Sequence, residues 1–289
     1  DLLTDLAPFI DEPIADSSIL PSFMISRLTR QHVTVALGGD GGDELFGGYQ
    51  HYQDILRDTK LLNWMPGVAF RCMSGLAARL PAGIPGRNRV ASLRNGPAQS
   101  GIWGTPFFDY DLRRRLLKPD MLDVLGEGLA APEYRSVPFL QNSSDVVDSL
   151  TRMDFQQLLP DDYLVKVDRA SMANSLEVRT PFLDHRLVEF AFSRIPSEWK
   201  CNLNERRRVQ YLMAIKYLPK EFELNRKQGF SVPMDAWIRD APTDQLIEEI
   251  PRDIFNVNFI KDLVVGQSRG RTNGARLFAL MMLNLSSLY

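Results

Sequence analysis

Residues 18–30 carry apolar side chains near helical spacing, with Ile19, Phe23 (with Met24) and Leu28 in phase and Arg27 and Arg30 at the basic end. That pattern predicts a helix from Ser18 to Arg30. His32–Val33–Thr34–Val35–Ala36–Leu37 is short, β-branched and apolar, which predicts a strand buried on both faces. A glycine-rich turn follows, then a further helix from about Asp43. Helix, strand, turn and helix in that order give the rhythm of a doubly wound parallel sheet.

The pattern then changes. Between residues 61 and 128 the chain is punctuated by Pro66, Pro81, Pro85, Pro97, Pro106 and Pro119, which predicts short helices joined by irregular loops. After Asn142–Ser143–Ser144 it becomes strongly helical. Val147, Leu150, Met153 (or Asp154) and Leu158 form a stripe, with Ser143 or Ser144 as the N-cap and Pro160 as the stop. Asp161 is expected to cap a second helix through Leu164, Val167 and Met172, and Asp184 a third carrying Leu187, Val188, Ala191 and Phe192. Another helix is expected over 205–217, and the all-apolar run Leu277–Leu283 reads as a buried helix. The expected division is an α/β part (1–60), an irregular helical insertion (61–142) and a helical part (143–289).

Composition narrows the chemistry. The 289 residues hold 44% hydrophobic and 24% charged side chains, as in a folded protein. Acids outnumber bases 36 to 34, for a net charge of −2. That balance removes the general attraction to phosphate backbones, so no nucleic-acid partner is expected. Two cysteines, Cys72 and Cys201, and three scattered histidines argue against a disulfide framework and against zinc. No apolar run reaches the ~18 residues of a bilayer span, and the expected location is the cytoplasm.

The segment that carries chemistry is Leu37–Gly38–Gly39–Asp40–Gly41–Gly42–Asp43–Glu44–Leu45–Phe46–Gly47–Gly48–Tyr49. Six glycines between Gly38 and Gly48 let backbone approach a ligand closely, and the end of a parallel strand is where open sheets bind ligands. The turn lacks the Lys-Ser/Thr pair of a Walker loop and has three carboxylates instead. Carboxylates beside phosphate need a cation between them, which points to Mg²⁺ bridging phosphate oxygens, with one acid left as a base. The plainer reading makes Asp43 and Glu44 helix N-terminal acids only. The density of glycine and acid at a strand end favours the ligand reading.

This turn resembles the S-G-(E/D)-G-x-D-E signature, glycine pair and aromatic of the synthetase domain of glutamine-hydrolysing asparagine synthetases. Asp11–Glu12–Pro13–Ile14–Ala15–Asp16–Ser17–Ser18 resembles the family's D-E-P-x-A-D-x-S loop. The stretch from Lys166 to Arg179 with Thr180–Pro181–Phe182–Leu183–Asp184 is similar to its central helix and P-F-L-D. Arg226–Lys227–Gln228–Gly229–Phe230–Ser231–Val232–Pro233 resembles its R-K-x-G-F-x-x-P loop. The resemblance implies a helix-dominated α/β fold of the ATP-pyrophosphatase (PP-loop) type. It also implies an amide ligase in which ATP with Mg²⁺ adenylylates the aspartate side chain and ammonia derived from glutamine displaces AMP. By the same resemblance Gly38 and Gly39 approach the nucleotide, Asp43 is a Mg²⁺–pyrophosphate ligand with Glu44 beside it, and Asp40 serves the acyl-adenylate chemistry and deprotonates ammonia. Lys227 would stabilise phosphate charge.

Two family features are missing from these 289 residues: the S-G-G-x-D-S pyrophosphate loop and the segment with the glutaminase cysteine. The expectation is a C-terminal piece of a synthetase domain that lacks the first strand of the nucleotide fold, binds ATP poorly by itself and is inactive alone. Apolar surface would be left exposed or covered by another copy, so a homodimer is a candidate assembly. Gly38 stands where many members have Ser, and Asp40 where the best-known ones have Glu. An amidotransferase for another carboxylate, such as a uronic acid, and a non-catalytic module therefore stay open as alternatives. Asp168 with Arg169, and Glu177 with Arg179 as a buried ion pair, read as scaffold. His32, His51 and His185 show no partner pattern.

Overall fold

The computed structural model describes residues 2–141, 145–224, 232–239, 241 and 243–286. It is a helix-dominated α/β structure with a small parallel sheet. The chain forms two compact units: Ile19–Asn63 with Pro138–Ser231, and Asp1–Ser18 with Trp64–Val137 and Val232–Tyr289. Among the described residues no helix is long and apolar enough to cross a membrane.

The first of these units holds the sheet. Strand β1 (Val35–Leu37) pairs in parallel with β2 (Glu177–Arg179), in the register Val35 to Glu177, Ala36 to Val178 and Leu37 to Arg179. The Ile19–Arg30 helix buries Ile19, Leu20 and Phe23 and packs on the Val165–Met172 helix, where Asn174 Nδ2 donates to the Phe23 carbonyl at 3.3 Å. The expected strand is shorter than predicted and is not buried. Leu37 is 75% exposed, and Val33 and Val35 are also exposed. An apolar run in a described sheet of two strands has neighbours along one edge only.

The long helical stretch departs from its prediction in instructive ways. Asp145 caps the Val146–Gln156 helix, its Oδ1 accepting from the backbone of Val147 and Asp148, both at 3.0 Å. Ser143 and Ser144 lie outside the described residues. Pro160 does not stop the chain and Asp161 does not begin a new helix. Instead Leu159–Leu164 form a π-helical turn that runs straight into the Val165–Met172 helix. Proline fits near the start of such a turn because its missing N–H would have no partner there anyway. Asp184 caps the His185–Arg194 helix through the Arg186 N–H, as its position predicts. The helix expected from Glu205 begins only at Arg208, since Asn202 Oδ1 holds the backbone of Asn204 and Glu205 in a tight turn. Leu45, Phe46 and Ala191 form one buried cluster of this unit, with Phe182, Leu187 and Phe192 around them.

Among its described residues the second unit is helix and loop with a single antiparallel bridge between Leu117 and Phe255, and it includes the short helices expected between its prolines. Its core joins Leu112 and Leu116 to Phe259, Ile260 and Leu263 of the Val257–Ser268 helix and to Leu277 and Leu280 of the Gly274–Ser286 helix. Leu277 is 0% exposed, as the all-apolar run predicts. Leu277→Ala is expected to destabilise by about 2–5 kcal/mol, read as a lower urea midpoint with an unchanged slope.

Candidate active site

The acidic turn leaves β1 directly. Gly38 N–H donates to the Arg179 carbonyl at 2.8 Å, so the turn begins as an extension of the strand pair. A Cβ on Gly38 would meet Val178 Cγ1 at 3.0 Å, and Gly41 (φ +87°) would meet Leu183 at 2.7 Å. Gly41 is required by its backbone conformation, whereas a side chain at Gly38 would need its neighbours to shift slightly. Gly39 is different: a Cβ there would meet nothing within 4 Å. The space over Gly39 is open, as a close-approaching ligand would need.

The Gly42–Phe46 helix then carries Asp43 and Glu44 in its first turn. It is fixed from the far side by Gln210 Nε2 on the Gly42 carbonyl (3.2 Å) and Arg206 Nη1 on the Gly48 carbonyl (2.9 Å). Asp40 and Asp43 are half-buried. Burial raises the Asp40 carboxyl above the ordinary carboxylate range, opposed by its backbone hydrogen bond and by the Lys166 charge. Glu44 is 1% exposed and accepts the Tyr49 hydroxyl proton. Burial also raises Glu44, the Tyr49 hydrogen bond opposes this, and the charges of Asp43 and Asp154 add to it.

Behind Glu44 lies a polar and aromatic cluster that no local motif announces. Tyr52 Oη donates to Asp154 Oδ2 at 2.7 Å, and His51 Nε2 is 2.9 Å from the same oxygen. The Tyr49 ring stacks on His51 at 5.4 Å and lies 6.0 Å from Tyr163 of the π-helical turn. Buried Lys166 places its ammonium 4.4 Å from the Tyr163 ring centroid. His51 therefore has a partner, 103 residues away in sequence, which is why spacing hid it.

The remaining scaffold pairs also differ from expectation. Glu177 and Arg179 do pair, at 2.7 Å, but on the surface, with 54% and 65% of their side chains exposed. They sit on β2 two residues apart, on the face that solvent reaches. Asp168 and Arg169 touch at 3.1 Å although adjacent on a helix, because the long arginine curls back over an exposed surface. Lys227 lies outside the described residues.

The donor set is hard oxygen, from Asp40 and Asp43. Among the described residues no three His, Cys, Asp or Glu side chains group closely enough to hold a metal ion by themselves.

A match to the asparagine synthase family extends over residues 1–287. The chain belongs to that family. Its relatives in the asparagine synthase family include asparagine synthetase [glutamine-hydrolyzing] 1 of Bacillus subtilis, 30% identical over 85% of this chain and 38% of the relative. Asparagine synthetase [glutamine-hydrolyzing] 3 of the same organism is 25% identical over 79% of this chain and 30% of its own length. The chain thus spans about a third of the length of these relatives.

Proposed function

We propose that the full-length protein is an ATP-dependent amide ligase that converts aspartate to asparagine with ammonia drawn from glutamine, in the cytoplasm. The 289 residues are read as the C-terminal part of its PP-loop-type synthetase domain. The observation that carries this reading is the strand-end turn, which holds half-buried Asp40 and Asp43 within a few residues of Gly39, where a Cβ would meet nothing within 4 Å. In this reading the aspartate side-chain carboxylate attacks the α-phosphate of ATP, forming β-aspartyl-AMP and releasing pyrophosphate. Ammonia then attacks the acyl carbon and AMP leaves. Bound Mg²⁺ would supply positive charge for the departing pyrophosphate.

Each residue has a task. Gly38 and Gly39 offer backbone to the nucleotide. Asp43 is the metal–phosphate ligand, while Glu44, turned onto Tyr49, supports it from the interior. Asp40 takes the proton from the attacking nitrogen, a role suited to a carboxyl whose affinity for protons is raised by burial. Lys227 neutralises phosphate charge. The test is product analysis on the full-length protein with ATP, Mg²⁺, glutamine and aspartate. Aspartate-dependent AMP, pyrophosphate and asparagine are the expected products. AMP release that ignores aspartate would move the acceptor to another carboxylate, and no turnover with any acceptor would sink the ligase reading.

A further inference from the structure

The second unit buries two guanidinium groups side by side. Arg87 and Arg276 are each 2% exposed, and both donate to the same atom, Asn88 Oδ1, at 3.2 Å. Arg87 Nη1 also contacts Asp109, whose other oxygen caps the Leu112 N–H at 2.9 Å. Arg276 Nη1 is spent on the Thr272 carbonyl (3.1 Å) and Asn273 Oδ1 (3.3 Å). Among the described residues no carboxylate lies within ion-pair distance of Arg276. Asp235 acts on it only at longer range and already accepts the Gly274 N–H at 2.8 Å.

Three buried donors are left without an acceptor: Arg87 Nε, Arg87 Nη2 and Arg276 Nε. Two like charges drawn together in the interior, with one touching carboxylate and three donor nitrogens idle, form an arrangement that is strongly unfavourable unless a negative group joins it. Burial and the neighbouring Arg87 charge lower Arg276 to about 10, in keeping with that imbalance. The Arg87 charge also acts on Arg115, which burial and that charge together lower.

We propose that Arg87 and Arg276 hold a small monovalent anion of the chloride class between them, as a structural ligand of this unit. One negative charge offsets the excess, and a spherical acceptor can take several N–H donors at once. The site is independent of the ligase reading.

The test uses the full-length protein at constant ionic strength, with potassium chloride replacing potassium gluconate. The transition of this unit should rise saturably with chloride, by about 3 °C at about 0.2 M. Arg276→Met, which keeps bulk but removes charge and donors, should abolish the dependence. A crystal soaked in bromide provides a check that needs no variant: an anomalous peak is expected within about 3.5 Å of both Arg87 Nε and Arg276 Nε. Absence of that peak, leaving ordered water, would overturn the proposal. So would a peak with no chloride dependence of stability, which would mean binding at crystal concentration only.

Discussion

Asp43→Asn in the full-length protein is expected to lower aspartate-dependent AMP release by about 100-fold or more, with the fold intact. Asparagine preserves the shape of the side chain and removes only its charge, and in the proposed reaction that charge holds the cation on the departing pyrophosphate. Gly48 supplies a second, charge-neutral way to make the same change. A Cβ on Gly48 would lie 1.7 Å from Asp43 Oδ1 and 2.8 Å from its Cβ, so Gly48→Ala must push the carboxylate aside. It should reproduce most of the loss in activity and destabilise by about 1–3 kcal/mol. Gly39→Ala should do the reverse. With nothing within 4 Å to meet, it should leave thermal stability unchanged and raise the KM for ATP. Full activity in Asp43→Asn would remove the acid turn from the chemistry.

Lys200→Met is expected to stabilise the protein. Lys200 is 1% exposed, its ammonium 4.4 Å from the Phe192 ring centroid, and its Nζ has no hydrogen-bond partner. Burial is the largest influence and lowers it from 10.5 to about 8; Asp148 and Asp145 oppose this while Arg152 adds to it. Below pH 8 both the folded and the unfolded chain carry the proton, so the folded state bears the whole cost of burying the charge. Between about 8 and 10.5 the unfolded chain binds more protons than the folded one, and stability rises with pH. At pH 7 the methionine variant should therefore be more stable by about 1–3 kcal/mol. Its advantage should shrink as pH climbs through that window. The difference between the two proteins is the quantity to plot, because Tyr49 and Tyr52, both raised by burial, make the fold less stable above about pH 10 in either one. A methionine variant less stable than the parent at pH 7 would contradict this account.

Local patterns were well recorded in the sequence. The Ile19–Arg30 helix, the Asp184 cap and the buried C-terminal helix each depend on neighbours within a few residues, and each was readable. The acidic turn was legible for the same reason, since its glycines and acids are contiguous. What escaped depends on distant chain. The exposure of β1 follows from how many strands join it, which an apolar run cannot encode. The His51–Asp154 pair joins two helices 103 residues apart, so neither residue looks unusual where it stands. Pro160 misled because its usual meaning in a helix, a stop, does not hold at the start of a wide turn.

That wide turn makes the number of residues, and not only their identity, part of the site. Each residue in a helix advances the facing direction by about 100°. Removing any one residue between Leu159 and Leu164 would relax the turn toward an ordinary helix and swing Lys166 away from Asp40 by that amount. No substitution elsewhere on the Val165–Met172 helix could undo such a rotation. When relatives are aligned, a one-residue gap at this point would therefore mark a protein with a different charge facing Asp40, however similar its motifs.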